Sequence, residues 1–134
     1  MRTPHFLYSA GSLLLLCTLV QPVAAADPAA GNRNQFIYVL RLVPRLYDDK
    51  NWTKDDNAAL ERHFIRFKHA IETGELILAG RTTESGEKTF GIAIFEAADE
   101  RAGRAFMESD PAVVAGLMTA ELHPFKVALQ RQSP

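Results

Sequence analysis

Apolar residues fill both faces of the stretch from residue 36 to 43. Phe36, Tyr38, Leu40 and Leu42 alternate onto one side, and Ile37, Val39 and Val43 fall on the other with Arg41. A period of two with both faces apolar predicts a central strand covered on both sides, and Pro44 ends it. The segment PRLYDDKNW reads as a loop. Thr53 then offers an N-cap with Asp55 and Asp56 in the first turn, which predicts a long helix to Thr73 with Gly74 as its C-terminal stop. Leu60, Phe64, Phe67 and Ile71 recur at helical spacing and form its expected apolar stripe. His63 falls one position off that stripe, and His69 points to the opposite side.

The second half repeats the alternation. Residues 75–80, ELILAG, predict a second strand, followed by a polar hairpin loop with Gly86. Residues 89–96 predict a third, with Phe90, Ile92 and Ile94 on one face and Gly91 and Ala93 leaving room for close packing on the other. AADERAGRAFMES reads as a second helix and DPAVVAGL as a short third one. TAELHPFKVALQR reads as a last strand, which Pro124 restricts to an edge or bulged position. The order strand, helix, strand, strand, helix, strand is the ferredoxin-like βαββαβ pattern. It predicts an α+β subunit over residues 36–131, one antiparallel sheet with its helices on one face. The other sheet face is then apolar and uncovered. A second copy packed sheet to sheet is the simplest cover, so a homodimer is expected.

A chain of 134 residues holds one modest domain, and a net charge of −1 without a basic stripe argues against nucleic acid as a partner. The first residues depart from this pattern. MRTPHF carries one arginine, LYSAGSLLLLCTLV is an apolar run, and small residues follow with Ala24 and Ala26 in an Ala-x-Ala arrangement. Residues 1–26 are therefore expected to be a signal peptide cleaved after Ala26, and 27–35 a flexible leader, with the mature protein periplasmic or secreted and free of the membrane. Cys17, the one cysteine, lies in the apolar run after Leu16, which does not suit lipidation. The mature chain then lacks disulfides, thiol catalysis and cysteine metal sites.

Few residues are left to carry chemistry. Asp110, before Pro111, has the signature of a helix N-cap, and it can equally be half of a site. His63 can be a half-buried packing residue. It can also face the groove between helix and sheet, where a carboxylate such as Asp110 would orient it as a general base. Arg81, after the second strand, is a candidate for holding a substrate anion, and His123 on the last strand a candidate substrate contact. No His-x-x-x-His or Glu-x-x-His spacing suggests a metal, no glycine-rich loop suggests a phosphate site, and no cofactor is implied.

The segments RHFIRFKHAIETGELILAG and FGIAIFEAADERAGRAFMESDPAVVAGLMTAELHPFKVAL resemble the YCII-related (YciI-like) proteins. The resemblance runs from about Phe36 to about Leu129. Its most specific parts are the helical histidine ahead of LILAG and the SDP block that ends in Pro124-Phe125. It implies a dimeric α+β barrel and a site built from a helical His and the Asp of the Asp-Pro motif, here His63 and Asp110. It further implies lyase or hydrolase chemistry on small, aromatic or chlorinated molecules. Two departures stand out. Members often carry Gly-Pro after the second strand where this chain has Gly80-Arg81, and export is unusual for small proteins of this type. The rival expectation is a non-catalytic periplasmic module that binds a small ligand or only dimerises.

Overall fold

The computed structural model describes residues 33–131, so the expected signal peptide, most of the leader and Cys17 lie outside the described residues. Four strands, β1 (Asn34–Leu42), β2 (Leu76–Arg81), β3 (Gly91–Ala97) and β4 (Met118–Phe125), form one sheet in the order β2-β3-β1-β4. Every neighbouring pair is antiparallel. The helices are α1 (Lys54–Glu72), α2 (Glu100–Glu108) and the one-turn α3 (Pro111–Val114). This is the ferredoxin-like α+β arrangement, with β4 at an edge, the position in a sheet where a residue such as Pro124 is tolerated.

Strand β1 starts at Asn34, inside the segment expected to be a leader. Asn34 and Gln35 have ladder partners in Ala97 and Glu96, and the Asn34 amide also donates to the Ala98 carbonyl at 2.9 Å. The last strand stops at Phe125, well short of Arg131. Beyond it, the Val127 N–H turns back to the Gln35 side chain at 2.8 Å. The loop after β1 holds two 3₁₀ turns, Pro44–Tyr47 and Asp49–Asn51, which bury Leu46.

Helix α1 is fixed at both ends by its own sequence. Thr53 and Asp56 form a reciprocal capping box, and the Asp56 carboxylate takes both guanidinium nitrogens of Arg45 at 2.6 and 2.9 Å. At the other end Gly74 has φ of +74°, and the N–H groups of Gly74 and Glu75 return to the carbonyls of Ile71 and Ala70. The buried face of α1 is Asp56, Ala59, His63, Phe67 and Ala70. That is one position away from the expected stripe, and Phe64 and Ile71 are about half exposed, at 51% and 50%. The small Ala59 and Ala70 let the helix approach the sheet, and His63 occupies the centre because it has partners there.

Phe36, Tyr38 and Leu40 of β1 and Ala93, Phe95 and Ala97 of β3 face the helices and form the main core with Phe67 and Met107. The Tyr38 ring stands edge-on to Phe95 and Phe106, with centroids 5.7 and 6.2 Å apart. Each such pair contributes about 0.5–1.5 kcal/mol beyond burial. A smaller cluster of Leu46, Ala59, Ala112 and Leu117 clamps the start of α3 against the first half of α1. That clamp brings the Asp-Pro joint to the helical histidine.

Candidate functional site

Asp110 is fully buried at the N-terminus of α3. Its Oδ1 accepts the Ala112 N–H at 2.9 Å, so it is a cap. It is also paired. His63 Nδ1 lies 2.7 Å from Oδ1 and 2.9 Å from Oδ2, although 47 positions separate the two residues. A third donor, the Tyr38 hydroxyl, reaches Oδ2 at 2.8 Å. The cap fixes the carboxylate, and the fixed carboxylate orients the imidazole.

The electrostatics agree with this wiring. Burial alone would raise the Asp110 pKa, but the His63 bond and charge, with the Ala112 N–H and the Tyr38 hydroxyl, hold the carboxyl below its ordinary value. Burial first, then the Asp110 charge and hydrogen bond, push the Tyr38 hydroxyl far above its ordinary range. Tyr38 is therefore a permanent donor. An ionised Asp110 accepts a hydrogen bond from Nδ1–H, and whenever the ring is neutral that leaves its lone pair on Nε2.

Tyr38 and Arg66 complete the cluster, and both escaped the sequence reading. The Arg66 guanidinium lies over the Phe106 ring at 4.1 Å and donates to the Phe106 carbonyl at 2.6 Å and to the Ser109 hydroxyl at 3.0 Å. Its buried Nη1 has no hydrogen-bond partner and lies 3.8 Å from Asp110 Oδ2. A signal existed for each. Tyr38 is a hydroxyl on the helix-facing side of a two-faced apolar strand, where it requires a buried acceptor. Arg66 lies one helical turn after His63 and so shares its face.

His63 also lines a cavity of about 520 Å³ between α1 and the sheet. Its walls include Leu40, Leu76 and Met118 from the sheet, Leu60 and Phe64 from α1, and Trp52. Among the described residues His63 Nε2 has no hydrogen-bond partner, and it is not one of the buried unpartnered atoms. Nε2 is thus the ring atom available to the cavity.

The two remaining candidates part company. Strand β2 carries a bulge between Leu76 and Leu78, so Ala79 pairs with Ala93 and Arg81 with Gly91. Both partners face the helices, so the extra residue, Ile77, turns Arg81 to the cavity side, and Arg81 lines the cavity. His123 is different. The register sets it opposite Ile37 on the other face of the sheet. It is exposed there, 3.7 Å from Glu121, and it does not line the cavity, so the structure does not bring this candidate substrate contact to His63. Among the described residues no cluster of three or more potential metal ligands occurs.

A family model described as the YCII-related domain matches residues 40–126. Among solved structures, the chain is similar to the 5-chloro-2-hydroxyhydroquinone dehydrochlorinase TftG from Burkholderia phenoliruptrix AC1100, in complex with 2,5-dihydroxybenzoquinone. The two are 19% identical, the match covers 69% of this chain and 93% of that one, and the TM-score is 0.45. No curated protein matches the chain.

Proposed function

The chain belongs to the YCII-related domain family, and from that premise we propose that it is a small-molecule enzyme with His63 as general base and Asp110 as its positioning carboxylate. One observation carries this: a buried imidazole whose Nδ1 is tied to a buried carboxylate while its Nε2 faces an apolar cavity without a protein partner. A neutral imidazole held in one tautomer takes a proton at Nε2, and the carboxylate stabilises the imidazolium that forms. In lyase chemistry Nε2 removes a proton from substrate carbon or oxygen. The freed electron pair forms a double bond as a leaving group departs with its own electrons. In hydrolase chemistry Nε2 takes the proton of an attacking water. Small aromatic or chlorinated compounds are the substrate class the family resemblance implies, and the apolar walls suit them.

Two further parts of the proposal lie outside the site. The apolar open face of the sheet supports a homodimer, and the N-terminal sequence supports export.

The experiment is a turnover screen of the purified protein against small aromatic and chloroaromatic compounds, run in parallel with His63→Gln. General-base catalysis is worth about 10²–10⁴-fold, and the variant is expected to lose that much. Turnover that survives His63→Gln unchanged overturns the assignment. Binding without turnover across the screen favours the ligand-binding module instead.

A further inference from the structure

We propose that the cavity beside His63 takes a flat, largely apolar molecule with one anionic end, the anion held at the rim by Arg81 and Lys68. The proposal rests on the reading of this cavity as the working site and adds the class of ligand.

Charge composition is the first support. Among the described residues, Lys68 and Arg81 are the only ones of the lining that carry a full charge at neutral pH apart from any proton on His63; both are cations, and no described carboxylate lines the cavity. Neither forms a salt bridge among the described residues. The other polar side chains are spent on the protein itself. The Trp52 indole N–H donates to the Leu46 carbonyl at 3.1 Å, and the Thr89 hydroxyl donates to the Glu84 carbonyl. The side-chain groups left for a ligand are two cations and His63 Nε2. An uncharged ligand would leave the cations without complement, and a cationic one would be repelled.

Depth is the second support. Lys68 and Arg81 are exposed, whereas His63 is only 4% exposed. The cations therefore mark the mouth and the base marks the floor. Trp52, Phe64 and Phe67 line the same cavity, and aromatic rings there favour a flat partner. A molecule with its anion at the mouth presents its apolar body, and the proton to be removed, to Nε2.

The third support is the backbone. Uninterrupted alternation from Leu76 would send Arg81 to the open face of the sheet. The β2 bulge reverses this and sets Arg81 opposite Gly91, a residue with no side chain to crowd the rim. A guanidinium in that place can grip a carboxylate through two parallel bonds, which a lysine or a proline there cannot.

The test compares 2-naphthoate with the isosteric, uncharged 2-naphthamide. Each is titrated into the purified protein at low salt and followed by NMR and calorimetry. The proteins are wild type, Arg81→Gln/Lys68→Gln and His63→Gln. In wild type 2-naphthoate is expected to bind roughly tenfold tighter than the amide, with shift changes at Phe64 and Met118. The double variant is expected to bind both probes at the amide's affinity, and added salt to shrink the wild-type preference. His63→Gln should retain the preference, because the base takes no part in holding the anion. Equal affinity for the two probes in wild type, or a preference that survives the double variant, overturns the anionic ligand and leaves the His63–Asp110 assignment standing. If neither probe perturbs the cavity at millimolar concentration, the proposal falls together with the cavity as a binding site.

Discussion

Asp110 carries three donors on two oxygens, so different substitutions there should separate its roles. In Asp110→Asn one oxygen becomes an NH₂ group. Where that group faces His63 it donates to Nδ1, and the ring proton must move to Nε2, which blocks the lone pair that faces the cavity. ¹⁵N NMR of the imidazole should report the Nδ1–H tautomer in wild type and a large Nε2–H population in the variant. A wrong tautomer is worth on the order of 10⁴ in turnover in a serine-protease triad, and a loss of similar order is expected here. An unchanged tautomer would leave Asp110 as a cap alone. Tyr38→Phe removes only the hydroxyl. Bonds to a charged acceptor are worth about 1.5–3 kcal/mol, so denaturant unfolding should show a loss in that range while the tautomer stays as in wild type. Acid should weaken the fold through the same carboxylates. Arg45 and the Thr53 backbone hold the Asp56 carboxyl below its ordinary value, and Asp110 is likewise depressed against the opposing effect of its burial. Groups depressed in the folded state stabilise it fully above the ordinary carboxylate pKa of 3.8 and lose that contribution as pH falls below it. The urea midpoint should therefore fall between pH 5 and about pH 3, and more shallowly in Asp56→Asn.

At the level of elements, closeness of approach sets what each helix tolerates. Gly103 of α2 rests against Phe36, and a Cβ there would stand 3.2 Å from the ring. Alanine gains up to about 1 kcal/mol in helix propensity, but overpacking a core typically costs 1–3 kcal/mol. Phe36 is 4% exposed and backed by Phe95, so it has little space to yield. Gly103→Ala is expected to lower stability by about 1 kcal/mol in denaturant unfolding, and a stabilised variant would show that the ring can move. The strands and caps were legible in the sequence because their causes are local: alternation for β1 and β3, Thr53 and Asp56 at one end of α1, Gly74 at the other. The face of α1 was not. An imidazole belongs in a core only when it is partnered, and the carboxylate that partners His63 comes from the far end of the chain. The same is true of Arg81, whose side of the sheet depends on one extra residue in β2 that simple alternation does not reveal. The side of the sheet that His123 takes was not legible either, since only the pairing of β4 with β1 decides it.

At the scale of the whole molecule, one surface stands out as unbalanced among the described residues. Ile37, Val39, Ile92 and Ile94 share the sheet face that the helices leave open, flanked by Leu78 at 48% and Phe125 at 38% exposure. Gln35 and Glu96 at one end, and Thr119, Glu121 and His123 along β4, bring polar groups to the same face. Arg41, on the same face, lays its guanidinium over the Phe90 ring at 5.5 Å and covers part of it. A monomer seldom exposes a continuous apolar area of this kind. A second copy packed sheet to sheet can bury a standard interface of about 800 Å² per partner. Sedimentation of the purified protein at micromolar concentration is expected to give a dimer, with a urea midpoint that rises with protein concentration. Val39→Lys, in the middle of the face, should shift the species to monomer and abolish that concentration dependence. It should leave the His63–Asp110 tautomer as it was, because the pair lies on the helix side of the sheet. A wild-type monomer with a concentration-independent midpoint would mean that the face is covered by something other than a second copy. The cavity, the buried pair and the rim cations would be unaffected by that result, since all of them come from a single chain.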